Sequence, residues 1–239
     1  QRVRGHAADR HLGQRGGVQR HRNGAHLAGI ARRVAPQPAI QRIGTGQVSL
    51  QHKADGSFEL VTRSRGTEGL AALAGVEREE RSRLRWTGDG LELVDYRMQQ
   101  TAGWKKREEE LSLDRGRREV SSRWKDQSAT YAAPEGVLDP HGTTAAIMVA
   151  LAAGERGTMQ FEVAERRGVE SQSYEVAAAV RLRTAIGTER ALRVERQRSA
   201  NNGRITKLWF ARNHDWLPLR IKQYETDGET LDLRITAIR

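Results

Sequence analysis

From Gly44 to the C-terminus, strand-like runs alternate with turn residues about every ten positions, and this rhythm constrains the fold more than any other feature of the chain. Residues 47–51 and 57–64 flank the turn set Ala54-Asp55-Gly56, and residues 77–86 and 91–99 flank Thr87-Gly88-Asp89-Gly90. Residues 104–114 and 117–126 flank Asp114-Arg115-Gly116, residues 191–198 and 204–211 flank Asn201-Asn202-Gly203, and residues 217–225 and 230–238 flank Asp227-Gly228. Within the last pair, Leu217, Leu219 and Ile221 alternate with polar or charged residues, as do Leu231, Leu233 and Ile235. Such period-2 alternation buries one face of a strand and wets the other. The expectation is a mainly β chain whose antiparallel meander forms a curved half-barrel or barrel.

One stretch breaks the rhythm. After Pro134-Glu135-Gly136, residues 137–155 read as a helix, started by Asp139 with Pro140 or by Thr143 and closed by Gly154. Residues 145–153 are apolar on every side, which predicts a helix packed on the concave face of the sheet. Two readings follow. In one, Ala146, Ile147, Ala150 and Leu151, together with Trp209, line a site for an apolar ligand; in the other, the same residues simply fill the core.

Residues 1–43 have a different composition. They contain no Lys, Glu, Ser, Met or aromatic residue, and the first aromatic in the chain is Phe58. With so little to bury, they are expected to form a disordered or aberrant Arg/Gly/His-rich tail beside one β domain over residues 44–239. Their four histidines, His6, His11, His21 and His26, are irregularly spaced among arginines and do not read as a metal site. The tail also carries most of the charge. Of the net +11, residues 1–50 supply nine arginines against Asp9 alone, so the rest of the chain is close to balanced. Nucleic-acid affinity, if present, is expected from the tail and not the body. The N-terminus is arginine-rich and shows no signal peptide, and no apolar run approaches the ~20 residues that span a bilayer.

Catalytic motifs are not found. With no cysteine, disulfides, thiol nucleophiles and cysteine metal sites are excluded. Gly44-Thr45-Gly46 lacks a dinucleotide fingerprint's third glycine. Glu108, Glu109 and Glu110 fall in a strand that sends neighbours to opposite faces, so they are expected to form no acid–base pair and to face basic residues such as Arg117 and Arg118. His214, between Asn213 and Asp215, reads as part of a loop before Trp216-Leu217-Pro218, and His141 as part of a helix start. The expectation is no enzyme, no cofactor and no metal.

The C-terminal half carries a resemblance. Ile186-Gly187-Thr188, Val194-Glu195-Arg196, Leu208-Trp209, Asp215-Trp216-Leu217-Pro218 and Arg220-Ile221 resemble the closing strands of a bacterial envelope family catalogued as domain of unknown function 3108. Upstream, Asp55-Gly56-Ser57-Phe58 and Glu77-Arg78-Glu79-Glu80-Arg81 resemble its early hairpin and charged second strand, so the likeness spans about Gly44 to Arg239. It implies residence in the periplasm or cell envelope and no established activity. Beside lipoprotein-carrier half-barrels, a meander with an apolar helix points to an envelope protein that binds a lipid between sheet and helix, with peripheral envelope association; the alternative is a structural or interaction scaffold with a filled core. Neither the ligand nor the oligomeric state is readable from the sequence.

Overall fold

The computed structural model describes residues 34–35, 44–66, 75–88, 90–197, 205–224 and 230–238. Among them β1 (Val34–Ala35) pairs with β15 (Ala237–Ile238). The rest of residues 1–43, where a tail was expected, lies outside the described residues, as do the turns at 201–203 and 227–228.

A first meander runs through β2 (Gly44–His52), β3 (Ser57–Gly66), β4 (Glu77–Trp86), β5 (Leu91–Ala102), β6 (Lys105–Asp114), β7 (Glu119–Trp124) and β8 (Gln127–Ala132), each strand antiparallel to the next. Its register shows where the core lies. One row of facing residues crosses six strands as Leu50, Leu60, Ser82, Tyr96, Leu111 and Ser122, and every one of them is buried. Two residues along, the row Val48, Thr62, Glu80, Met98, Glu109 and Trp124 shares that inner face, because side chains alternate with period two. The outer face carries cross-strand ion pairs such as Arg63–Glu79 and Arg83–Asp95, each of small net worth in water.

The chain then forms α1 (Thr143–Ala153) and a second antiparallel meander of β9 (Thr158–Glu165), β10 (Gly168–Thr184), β11 (Gly187–Gln197), β12 (Ile205–Ala211), β13 (Leu217–Tyr224) and β14 (Thr230–Arg234). The expected antiparallel, mainly β chain with an apolar helix is therefore what is seen, with its meander divided into two sheets; among the described residues the hydrogen bonds close no complete barrel. Strands β8, β9 and the long β10 are absent from the turn-by-turn sequence pattern. β10 shifts register against β11 between Val176 and Ala179, and that irregularity blurs its alternation.

The helix ends as the sequence foretells. Gly154 follows it at φ +98°, donating to Leu151 O while Glu155 N reaches Ala150 O, the paired bonds of a Schellman close. At its start the Asp139 carboxylate accepts from the backbone N–H groups of His141 and Gly142 at 3.0 and 2.7 Å. Gly142 is required by closeness: a Cβ there would lie 2.6 Å from Asp139 Oδ2 and 2.9 Å from Leu84 Cδ2. Between these caps, Ala145, Ala146, Ile147, Met148 and Leu151 are buried in one cluster with Leu50, Leu60 and Leu84 of the first sheet and Val194, Phe210 and Leu219 of the second. Replacing Ala146 with Phe forces a ring into this filled space. The expected result is a loss of about 1–3 kcal/mol, read from the urea midpoint.

Candidate functional site

The two sheets leave a cleft on one side of α1. Its floor and first wall are Gly46, Val48 and Leu50 of β2 with Leu60 and Thr62 of β3. The helix contributes Thr144 and Met148, four residues apart and so on one face. The opposite wall is Leu217, Pro218, Leu219 and Ile221 of β13, with Leu233, Arg234 and Ile235 following along β14 and past its end. β13 shifts register against β12 between Trp209 and Phe210, which pair with Arg220 and Pro218. Leu219 is the extra residue, and proline is tolerated at such a bulge. The cavity volume is about 50 Å³, within a cleft of about 700 Å³ that includes its open mouth.

The residues named in advance as ligand contacts sit elsewhere. Ala146, Ile147 and Leu151 are buried in the core cluster, and Ala150 packs against it half-buried. Trp209 is buried in β12, with the Arg220 guanidinium stacked 4.8 Å from its ring centroid. The structure brings these five into one cluster, but the helical face lining the cleft is that of Thr144 and Met148.

Charge at the cleft is confined to one corner. Asp232 accepts from Arg220 at 2.6 Å and from Arg234 at 3.0 Å. Burial alone would raise the Asp232 carboxyl, but the hydrogen bonds from Arg220 and Arg234 outweigh it and hold the group below the usual carboxylate range. Two guanidiniums share this one carboxylate; the register sets Arg220, Asp232 and Arg234 on the face opposite Ile221 and Leu233, so their charges lie behind the cleft wall and Arg234 borders the cleft only by its place on β14.

Behind Thr62 runs a chain of buried polar groups. Thr62 Oγ1 lies 2.7 Å from His141 Nε2, His141 Nδ1 lies 2.8 Å from Ser82 Oγ, and Ser82 Oγ donates to Asp139 Oδ1 at 2.6 Å. Ser82 spends its only proton on Asp139, so His141 Nδ1 donates to Ser82 and Nε2 accepts from Thr62. Burial lowers the His141 pKa and so favours this neutral form. Nearby, Glu80 Oε1 accepts from Arg78 and from the Tyr96 hydroxyl. Burial would raise Glu80, yet the net shift is downward, led by the Arg78 hydrogen bond.

Serine, histidine and aspartate thus meet, but in the wrong order for nucleophilic catalysis. The His141 ring holds Ser82 and Thr62 while the Asp139 side chain holds Ser82, and Ser82 is wholly buried. Sequence reasoning took His141 as part of a helix start, which it is, and missed its ring contacts, because those partners lie 79 and 59 residues away. His214 sits in the one-turn helix Arg212–His214 that joins β12 to β13, followed by Asp215 and Trp216 at φ +53° and +59°. That is the expected loop, with Glu189 Oε1 3.3 Å from the His214 ring.

The glutamate run alternates as expected but faces other partners. Glu109 is buried against Arg166, and Glu110 meets Arg97 and Arg123; Arg118 instead holds the buried Glu92. The expected pairing with Arg117 and Arg118 is corrected by the register, because β6 sets Glu109 and Glu110 opposite Trp124 and Arg123. Among the described residues no three His, Asp or Glu side chains gather as a metal cluster.

Asp139 gives this chain a pH signature. Burial pushes its carboxyl up to about 6 despite hydrogen bonds from Ser82, Gly142 and His141, and its Oδ2 has no hydrogen-bond partner among the described residues. A raised folded pKa means a stabilising contribution that is full below the unfolded value and is lost as pH rises through about 6. His141 works the other way: its lowered pKa adds stability above about 6.5 that is lost as pH falls. Comparison with Asp139→Asn isolates the first effect. Between pH 5 and pH 8 the parent should lose about 1 kcal/mol relative to the variant, measured from urea midpoints at the two pH values.

A solved structure shares the outline of this architecture. A crystal structure described as a beta-barrel-like protein of domain of unknown function DUF1849 from Brucella abortus aligns with a TM-score of 0.53 at 9% identity, covering 87% of this chain and 95% of that one. At such identity the likeness speaks for the fold alone. Curated proteins gave no match. The family described as "Protein of unknown function (DUF3108)" matches residues 33–235, running from the start of β1 through both meanders. The chain belongs to the DUF3108 family.

Proposed function

We propose that the protein is a non-catalytic component of the cell envelope that holds an apolar tail, such as the acyl chain of a lipid, in the cleft between β2–β3, α1 and β13–β14. The carrying observation is the chemistry of the lining: aliphatic side chains along its walls, from Val48, Leu50 and Leu60 across Met148 to Leu217, Leu219, Ile221 and Leu233. Thr62 adds little polarity, because its hydroxyl is already engaged by His141. The envelope location follows from what the sequence resemblance implies. The absence of catalysis is supported by the burial of Ser82 and by the use of Asp139 as a helix-start acceptor.

The size of the cleft limits the ligand. Its 50 Å³ cavity is smaller than the roughly 150 Å³ that admits a benzene ring into a closed core. An acyl chain therefore lies along an open groove with part of its length at the mouth. That small volume also favours a second reading, a scaffold with a filled core.

Uptake of a fluorescent fatty-acid analogue by the full chain separates the two. The ligand reading expects saturable uptake, about tenfold weaker in Ile221→Trp, which fills the groove from its half-buried wall with an unchanged urea midpoint. No saturable uptake by the parent would overturn the ligand reading in favour of the scaffold.

A further inference from the structure

The hairpin joining β5 to β6 buries almost nothing at its tip. Ala102 pairs directly with Lys105, leaving a two-residue turn of Gly103 and Trp104. Gly103 sits at φ +57°, as the first central residue of a primed hairpin turn requires, and Trp104 takes the second place. That tryptophan is 91% exposed, whereas Trp124, Trp209 and Trp216 are buried. The turn needs the glycine. It does not need an indole beside it.

The surroundings of Trp104 are cationic. Lys105, Lys106 and Arg107 follow directly and are all exposed; as strand neighbours they alternate between the two faces, so the tip is positive on both. β7 ends opposite Glu109, so residues 105–108 reach past it with only β5 beside them. On the neighbouring tip stands exposed Lys125, and from the β9–β10 turn Arg167 lies over the Trp124 ring at 5.7 Å. The carboxylates among these tips are Asp126, Glu108 bonded by Gln99, and the half-buried Glu165 at the end of β9, bonded by Gln172.

We infer that the Trp104 hairpin docks the protein on an anionic lipid surface. A scattered exposed apolar residue requires no explanation, but an indole carried outward on a projecting turn and followed by three cations matches the chemistry of a bilayer interface. Indoles settle at the headgroup level, while lysine and arginine are drawn to acidic headgroups within a Debye length. The inference stands on the hairpin alone and does not depend on the cleft. If both hold, they agree in geometry: the facing row Gly46, Ser64, Arg78, Gln100 and Arg107 places one end of the cleft level with the docking hairpin.

The test uses the full chain with vesicles of phosphatidylglycerol and phosphatidylethanolamine, and with vesicles of phosphatidylcholine alone. The nine arginines in the first fifty residues attract anionic vesicles in every variant, so the readout must report on Trp104 itself. Expected are sedimentation with the anionic vesicles, a blue shift of tryptophan emission and quenching by brominated lipid. Trp104→Ser should abolish the shift and the quenching and weaken binding at least fivefold. The pair Lys105→Glu and Lys106→Glu should weaken anionic binding at least tenfold. Thermal midpoints should stay at the parent value, because the tip is exposed. Equal binding and equal quenching in Trp104→Ser would overturn the inference. So would binding to single-stranded DNA that depends on Lys105 and Lys106 without any vesicle-induced blue shift, which would assign the tip to a nucleic acid instead.

Discussion

The structure depends on seven residues, 136–142, that tie one meander to the other. Leu93 N donates to Val137 O at 2.8 Å, so this segment joins β5 where β6 has already turned away. Leu138 then exchanges backbone bonds with β9, donating to Glu162 O and accepting from Ala164 N, in a parallel bridge to Val163. Two side chains fix the ends of the stitch. The buried Glu92 carboxylate receives Gly136 N together with Arg115 and Arg118, and Asp139 receives Ser82 with the N–H groups that open the helix. Burial by itself would raise Glu92, and the Arg118 and Gly136 hydrogen bonds reverse that, so the group stays ionised in place. Beyond this segment the sheets share apolar packing, which has no directional preference, and a few polar links at one end: Arg166 to Glu109, and hydroxyls of Ser122 and Tyr131 to Arg166 O and Glu165 O.

The same segment explains what the sequence could and could not disclose. Hairpins are local, and their turn residues announce them: the pairs around 54–56, 87–90 and 114–116 fold as their punctuation implies. The helix is also local, and Asp139, Thr143 and Gly154 mark its ends within a few residues. The division into two sheets is not local, because it rests on backbone bonds from Val137 and Leu138 to strands more than twenty residues away. Nothing in the alternation of 137–138 distinguishes a strand of the meander from a strap between two of them.

The candidate site was legible in outline only. An apolar helix against a β wall pointed to the helix that the cleft borders, yet the contacts chosen from it, Ala146, Ile147, Ala150 and Leu151, belong to the packed cluster. A helix apolar on every side offers no periodicity to tell its core face from its cleft face, and Thr144 and Met148 differ from their neighbours only in the finished packing. Glu80 and His141 were hidden for a related reason. Glu80 lies within a charged strand whose odd-numbered neighbours pair at the surface, and only the register with Thr62 and Met98 shows that it points inward.

These constraints decide which wall of the cleft can yield to a ligand. β2 and β3 belong to a seven-stranded sheet, and β3 is held to the helix start through Thr62, His141 and Ser82. The helix start packs closely on that wall, with no room for even a Cβ at Gly142 between Asp139 and Leu84. On the far side the walls are β13 and β14, and among the described residues β14 has β13 as its sole strand partner. It is held there by five facing residue pairs and by the Arg220–Asp232–Arg234 cluster. An edge strand with one ladder opens at a lower free-energy cost than a strand laddered on both sides. β2 is an edge strand too, but nine facing pairs ladder it to β3 against five for β14, so widening of the groove falls on β13–β14 and carries Ile221 and Leu233 of the cleft wall with it.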